Sequence, residues 1–160
     1  MSLLRLRPAE AADVPVLLGF IRKLAEYERL SHECVATEAA LTATMFGPRP
    51  WAEAVLAEWA GVPAGFALFF HNYSTFLARP GLYLEDLFVL PEHRGRGIGK
   101  ALLRHLAKLA VERGCGRFEW SVLDWNEPSI AFYRSLGAVP MSDWTVMRVT
   151  GKALERLAAE

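Results

Sequence analysis

The sequence predicts a mixed α/β layer structure built as one domain, and three observations lead there. The chain has 160 residues, 52% apolar and 22% charged, enough for one sizeable core and short for two. Its apolar residues alternate in some stretches and recur every three or four positions in others, the periods of strand and helix. These stretches follow one another as strand, two helices, three strands, helix, strand, helix, strand, helix, with no repeat or flexible linker between them.

Leu3 to Arg7 ends in an alternation of apolar and basic residues before Pro8 and predicts the first strand. Asp13 as a cap, with Pro15 in the first turn and Val16, Leu17, Phe20, Ile21, Leu24 and Tyr27 on one face, predicts a helix ending near Glu28. Thr37 with Ala40 and Leu41 marks a short second helix, stopped by the Gly47-Pro48 and Pro50 cluster. The apolar runs Trp51 to Trp59 and Gly65 to His71 flank Ala60-Gly61-Val62-Pro63-Ala64 and predict a hairpin. A loop from Asn72 to Gly81 then leads to a strand, Leu82 to Val89. The next helix runs from about Ile98 to Glu112, with Ile98, Leu102, Leu106 and Leu109 on one face, and Gly114 ends it. Arg117 to Leu123 predicts a strand, and Pro128 to Leu136 a short helix with proline at its start and Gly137 past its end. Trp144 to Val149 predicts a last strand, before a terminal helix containing Leu154 and Leu157.

Composition narrows the function classes. Eighteen lysines and arginines balance eighteen aspartates and glutamates, so the chain is no polycation for coating nucleic acid, and no nucleic-acid partner is expected. Cys34 and Cys115 stand outside any CxxC pattern, and His32, His71, His93 and His105 form no ligand cluster, so neither a disulfide framework nor a metal site is expected. The charged opening MSLLRLRPAEAAD does not resemble a secretory leader, and no apolar run approaches the ~20 residues that span a bilayer. A cytoplasmic protein without a membrane partner is the expectation.

The most informative stretch is LYLEDLFVLPEHRGRGIGKALLRHL, Leu82 to Leu106, where a strand-like run passes through three glycines into a helix. Amides at a helix start lack intrahelical acceptors and carry partial positive charge, which suits an anion. Glycines let an anion approach those amides and permit turns that aim them inward. A P-loop is excluded: Ala101 follows Gly99-Lys100 where serine or threonine is required, and Arg94 stands at the first glycine. The dinucleotide fingerprint GxGxxG fits Gly95 and Gly97 but meets Lys100 at its third glycine.

What remains, Arg94-Gly95-Arg96-Gly97-Ile98-Gly99, resembles the pyrophosphate loop of the GNAT acetyltransferase superfamily. Tyr83-Leu84-Glu85-Asp86-Leu87-Phe88-Val89 and Trp125-Asn126-Glu127-Pro128-Ser129-Ile130-Ala131-Phe132-Tyr133 resemble segments of its spermidine/spermine (diamine) and thialysine acetyltransferase subfamily. So do Arg7-Pro8-Ala9 with Asp13, and Leu24-Ala25 with Tyr27-Glu28. The resemblance covers nearly the whole chain. It implies a single GNAT domain over residues 1–160, with a mostly antiparallel mixed sheet flanked by helices and splayed central strands. It also implies acetyl-coenzyme A (acetyl-CoA) as co-substrate, a small-molecule amine as acceptor and a homodimer. The coenzyme would meet Arg94, Gly95, Arg96, Gly97, Ile98, Gly99 and Lys100, the backbone of Leu87, Phe88 and Val89, and Asn126, Glu127, Pro128 and Ser129. The amine would meet Tyr27, Glu28, Glu85, Glu119, Trp120 and Ser121.

Acetyl transfer to an amine needs a proton acceptor, a donor for the oxyanion and a proton for the departing thiolate. The resemblance places Glu85 at the proton-accepting position. Read as a strand residue it is equally an outward-facing carboxylate, and since neighbours on a strand face opposite ways, Glu85 and Asp86 are not expected to serve together. Tyr133, protonated at neutral pH with a reference pKa of ~10, is the expected acid; a core tyrosine is the alternative. Two carboxylates along a groove, Glu28 and Glu85, suit an acceptor with two ammonium groups, such as a diamine, polyamine or lysine analogue. The segment AVPMSD before Trp144 is shorter than in the spermidine enzymes it resembles and lacks their acidic run, leaving Asp143 as the acid nearby, so a shorter acceptor, thialysine-like or a simple diamine, fits at least as well. Direct transfer in a ternary complex is expected, since neither cysteine sits in a nucleophile motif. Acetylation of protein lysines or amino termini, and acyl-CoA sensing without turnover, are the competing possibilities.

Overall fold

The computed structural model describes residues 2–159, so the two ends of the expected 1–160 domain lie outside the described residues. The chain forms two compact units, one reaching to Ser121 and the other starting at Val122. In the first unit five strands form one sheet in sequence order: β1 Leu4–Pro8, β2 Glu53–Trp59, β3 Val62–Ser74, β4 Arg79–Val89 and β5 Arg117–Trp120. Consecutive strands pair antiparallel up to β4, and β5 joins β4 in parallel through α3. The helices of this unit are α1 Val14–Tyr27, α2 Glu38–Met45 and α3 Ile98–Glu112. The expected mixed, mostly antiparallel sheet flanked by helices is the observed one.

Alternation along the strands supplies both faces of the sheet. Leu56, Phe66, Leu68 and Phe88 pack with Leu17 and Phe20 of α1, where the Phe20 and Phe66 rings stack at 5.8 Å. The other face meets the apolar side of α3, Ile98, Leu102, Leu103 and Leu106, all buried. Arg113 just past α3 lies over the Phe69 ring and forks onto Glu53 of β2 at 2.7 and 2.9 Å. That pairing holds the Glu53 carboxyl below its usual range. Gly65 allows β3 and β4 to approach, because a β-carbon there would sit 2.5 Å from the Phe88 carbonyl oxygen.

Several expectations are corrected. Asp13 does not cap α1 with its side chain. Its carboxylate accepts from the Glu10 amide at 2.7 Å and from both terminal nitrogens of Arg7, at 2.8 and 2.9 Å. The β2–β3 turn is tight, with Ala60 and Gly61 both left-handed (φ 50° and 82°). The expected loop from Asn72 to Gly81 is mostly strand, because His71 to Ser74 pair with Leu82 to Arg79 despite their polarity. Backbone pairing decides there, and apolar patterning does not report it.

In the second unit, α4 Glu127–Ser135 is capped by Asn126, whose side chain accepts from the Ser129 amide at 3.4 Å, and Pro128 stands in its first turn. α5 Gly151–Ala159 follows. The strand expected at Trp144–Val149 does not form: the run is rich in apolar and β-branched residues, but no described strand pairs with it. Trp144, Val146 and Met147 are 77%, 83% and 87% exposed.

Arg7 links β1, the Glu10–Asp13 turn and Glu58 of β2 and keeps the Asp13 carboxyl below its ordinary range. A carboxyl whose pKa is depressed by folding adds stability above its unfolded value of ~3.9, and that stability fades as pH falls through the folded value. Asp13→Asn should therefore cost about 1 kcal/mol in urea denaturation at neutral pH. The gap between variant and parent should close in strongly acidic buffer.

Candidate active site

The passage from β4 into α3 sets the geometry of the site. After Val89 comes a single 3-10 turn, Pro91–His93, and then RGRG. Gly95 and Gly97 both adopt left-handed conformations at φ 77°, and Gly97 is the N-cap of α3. The first helical bond closed at this end is from Ala101 N–H to the Gly97 carbonyl. The N–H groups of Gly95, Arg96, Gly97, Ile98, Gly99 and Lys100 thus have no acceptor among the described residues. A β-carbon added at Gly95 or Gly97 would meet no protein atom within 4 Å. The loop offers open space lined by amides, which fits a diphosphate.

The arginines of the loop face elsewhere. Arg94 donates through Nε to the Val89 carbonyl at 3.0 Å, and its guanidinium stands 5.3 Å from the Tyr27 ring centroid and 5.9 Å from that of Phe88. It braces the loop against β4 and the end of α1. Arg96 lies over Trp59 at 5.0 Å, with His93 Nδ1 3.1 Å from its guanidinium. Main-chain amides are therefore the principal anion donors shown, and Arg94 couples them to Tyr27.

Next to this loop is an acidic group assembled by an irregularity in β4. Across the β3–β4 pair, Asp86 is opposite Leu68 and Leu84 is opposite Phe69, which leaves Glu85 as an extra, bulged residue. The bulge reverses the alternation. Leu84 shares a face with Phe69, whereas Asp86 shares the α1 face with Leu68 and Phe88. The regular alternation assumed for Glu85 and Asp86 is interrupted here by the bulge; Glu85 and Glu28, at the C-terminal end of α1, both act on Asp86, and Glu85 acts on Glu28. Burial, then the charges of Glu85 and Glu28, push the Asp86 carboxyl up to about 7. Burial, then the charge of Glu85, also raises Glu28. Glu85 itself is exposed, and Asp86 is half-buried.

The edge of β4 toward β5 is open beyond this point. The parallel pairing runs from Gly81–Arg117 to Leu84–Trp120 and stops, so Glu85 to Val89 have no β5 partner. The main chain of Leu87, Phe88 and Val89 lies along that open edge. On β5, Glu119 accepts from Asn72 Nδ2 at 3.4 Å and Trp120 packs on Phe118 at 4.9 Å, while Ser121 and Tyr83 share a hydroxyl–hydroxyl bond of 2.7 Å. The structure brings Tyr27, Glu28, Glu85 and the loop into one neighbourhood of the first unit. In the second unit, Asn126 is buried and Tyr133 is half-buried on α4, with Phe132 at 5.7 Å. Among the described residues no group of three or more His, Cys, Asp or Glu could hold a metal, and no helix is long and apolar enough to cross a membrane.

A strand left without its β5 partner past Leu84, and a glycine turn presenting main-chain amides at the start of the following helix, are the two features of this region. The model of the acetyltransferase (GNAT) family matches residues 21–138, and the chain belongs to that family; it is an acetyltransferase. It is 36% identical to a thialysine N-epsilon-acetyltransferase of Mus musculus, over 99% of both chains. It is 35% identical to an L-ornithine N5-acetyltransferase of Arabidopsis thaliana, over 96% of this chain and 87% of that one. A solved integron cassette protein from the V. cholerae mobile metagenome superposes with a TM-score of 0.84 at 25% identity, over the full length of both.

Because open space surrounds Gly97, replacing it tests backbone strain alone. Gly97→Ala should lower stability by about 1–2 kcal/mol, the penalty for a left-handed alanine. Chemical denaturation measures it; a neutral result would mean that the turn relaxes to another conformation.

Proposed function

We propose that the protein transfers the acetyl group of acetyl-CoA directly to a primary amine of a small acceptor bearing two ammonium groups: a lysine analogue, ornithine-like amino acid, diamine or polyamine. The run of acceptor-less amides from Gly95 to Lys100, beside the carboxylates of Glu28, Glu85 and Asp86, carries this reading. The chain offers fixed donors to an anion on one element and negative charge to a cation on its neighbours. The full-length relatives that act on thialysine and ornithine support the short acceptor. Both units belong to one catalytic domain, as the family match spanning their boundary supports.

When bound, the coenzyme supplies an activated acetyl thioester. The residues that would hold it are Gly95 to Lys100 at the diphosphate, the open edge of Leu87 to Val89 along the pantetheine, and Asn126 to Ser129 near the thioester. The freed main chain of β4 orients the acetyl carbonyl and gives its oxygen a hydrogen bond as charge develops there. Glu28 and Glu85 draw the acceptor in through its ammonium groups. Tyr133 holds a phenolic proton for the departing sulfur. The protein acts in the cytoplasm, in keeping with the free thiols of Cys34 and Cys115. It works as a homodimer, which the exposed apolar side chains of Trp144, Val146 and Met147 support.

Turnover of acetyl-CoA should be measured across thialysine, ornithine, diamines, spermidine and lysine peptides. Activity on the small dications is expected, and activity on peptides alone would overturn the acceptor class. Tyr133→Phe should lower kcat about a hundredfold or more while leaving coenzyme affinity, measured by calorimetry, within about twofold. Light scattering should give twice the chain mass.

A further inference from the structure

We infer that Tyr27, at the C-terminal end of α1, sets the affinity for the coenzyme without touching it: its ring seats the Arg94 guanidinium, and Arg94 so seated holds the amide row of the loop in place. Tyr27 and Arg94 are thus positioning residues for the coenzyme, a task that rests on the coenzyme site proposed above and is separate from any contact of Tyr27 with the acceptor.

The need for such a tie starts in the sequence. Between Leu90 and Ile98, themselves buried, no residue is buried. Gly95 and Gly97 have no protein atom within 4 Å of an added β-carbon, and glycine has the most backbone freedom to lose. The stretch has little packing of its own, so its position depends on the side chains that reach out from it. Arg96 lies over Trp59, at the end of β2, at 5.0 Å. Arg94 joins more elements: Nε donates to the Val89 carbonyl at 3.0 Å, and the guanidinium stands 5.3 Å from the Tyr27 ring centroid and 5.9 Å from that of Phe88. A guanidinium suits this place because its flat faces stack on rings while its edge donates. Val89 and Phe88 belong to β4, the strand before the loop, and Tyr27 brings in α1. Phe88 lies in the core with Phe20, 5.9 Å away. Tyr27 is 43% exposed, so its ring adds little to that core and can be changed without opening it.

Two tasks are open to Arg94, and they differ physically. As a phosphate ligand it would add a full charge to the site, and lysine would serve in part. As a tie it acts before the coenzyme arrives, by narrowing the conformations open to the glycine stretch, and it needs a planar group that stacks and donates together. Donors ordered in advance cost a ligand less on binding. The Nε bond to a main-chain carbonyl and the two ring contacts are those of a tie. Without the Tyr27 ring Arg94 loses one of its holds, and an exposed contact of this kind corresponds to about a threefold to fivefold change in equilibrium.

The test is calorimetric binding of CoA, with no amine present, so that acceptor contacts of Tyr27 do not enter. Tyr27→Leu should raise Kd about threefold to fivefold, while Tyr27→Phe, which keeps the ring, should stay within about twofold. Arg94→Gln should raise Kd about tenfold, and adding Tyr27→Leu to it should cost nothing more. Tyr27→Leu and Arg96→Gln, which share no contact, should multiply. Arg94→Lys should fail to rescue, and the loss should be the same at about 0.05 M and 0.5 M salt, because no phosphate pairing is removed. In the ligand-free protein the Arg94 Nε–H resonance, displaced by the Tyr27 ring, should move in Tyr27→Leu and stay in Tyr27→Phe. An unchanged Kd in Tyr27→Leu, or losses that multiply between Tyr27→Leu and Arg94→Gln, overturns the inference. So does rescue by lysine with a loss that fades as salt rises, which would make Arg94 a direct phosphate ligand. A wild type that binds no CoA, even with the resonance shift in place, would sink the coenzyme site proposed above and this inference with it.

Discussion

Six N–H groups in a row without an acceptor among the described residues, Gly95 to Lys100, are the feature on which the rest of the site depends. Backbone donors demand partners, and donors left over at a helix start can be met only by water or by an anion. Two left-handed glycines keep the row together, since an L residue at φ 77° would meet steric cost at each position. Other contacts serve to aim it. The Gly65 approach sets β4 tightly on β3, α3 packs its apolar face on the sheet, and Arg94 ties the loop to the Val89 carbonyl and the Tyr27 ring. The loop is therefore fixed relative to the end of α1 by packed structure, which sets its position relative to the acidic group.

β4 has to satisfy several neighbours at once, and the bulge at Glu85 is how it does so. Before the bulge, Leu82 and Leu84 are buried and β5 is paired; after it, Phe88 packs with α1 and β5 is absent. One inserted residue reverses which face each side chain meets. It brings Asp86 to the α1 side, where Glu28 is, and leaves Glu85 beside it. A regular strand would have placed the two carboxylates on opposite faces of the sheet, with one of them over α3.

Much of this was legible in the sequence, and the failures are of one kind. The helices α1, α3 and α4 announced themselves through spacing and proline position, and RGRGIG marked the turn between β4 and α3. The bulge was invisible because both faces of the sheet are covered. Leu82, Leu84, Phe88 and Leu90 keep a two-residue period, interrupted only at Asp86, while changing the layer against which they pack. The extension of β3 through His71 to Ser74 was missed because polar residues can pair their backbones as well as apolar ones. Trp144 to Val149 shows the converse: the right residue types, with no described strand to pair with. Patterns report burial; hydrogen-bond partners that lie far apart in sequence leave no periodic trace.

A chain with no net charge nonetheless separates charge over a short distance, and this bears on how two unlike reactants can share one site. The coenzyme's diphosphate and a dicationic amine attract one another in solution, but neither would enter a cleft lined by its own sign. Uncharged amide dipoles solve half of this problem. They favour the anion through N–H groups that carry only partial charge, so they repel a neighbouring ammonium far less than lysines or arginines would. Arg94 and Arg96 are turned onto aromatic rings, which leaves Lys100 as the exposed full positive charge within the row. The carboxylates of Glu28, Glu85 and Asp86 concentrate negative charge at the end of α1 and the bulge of β4, where Glu85 and Glu28 raise the Asp86 carboxyl. On the function proposed above, dipoles on one side and full charges on the other would let two substrates of opposite charge lie side by side.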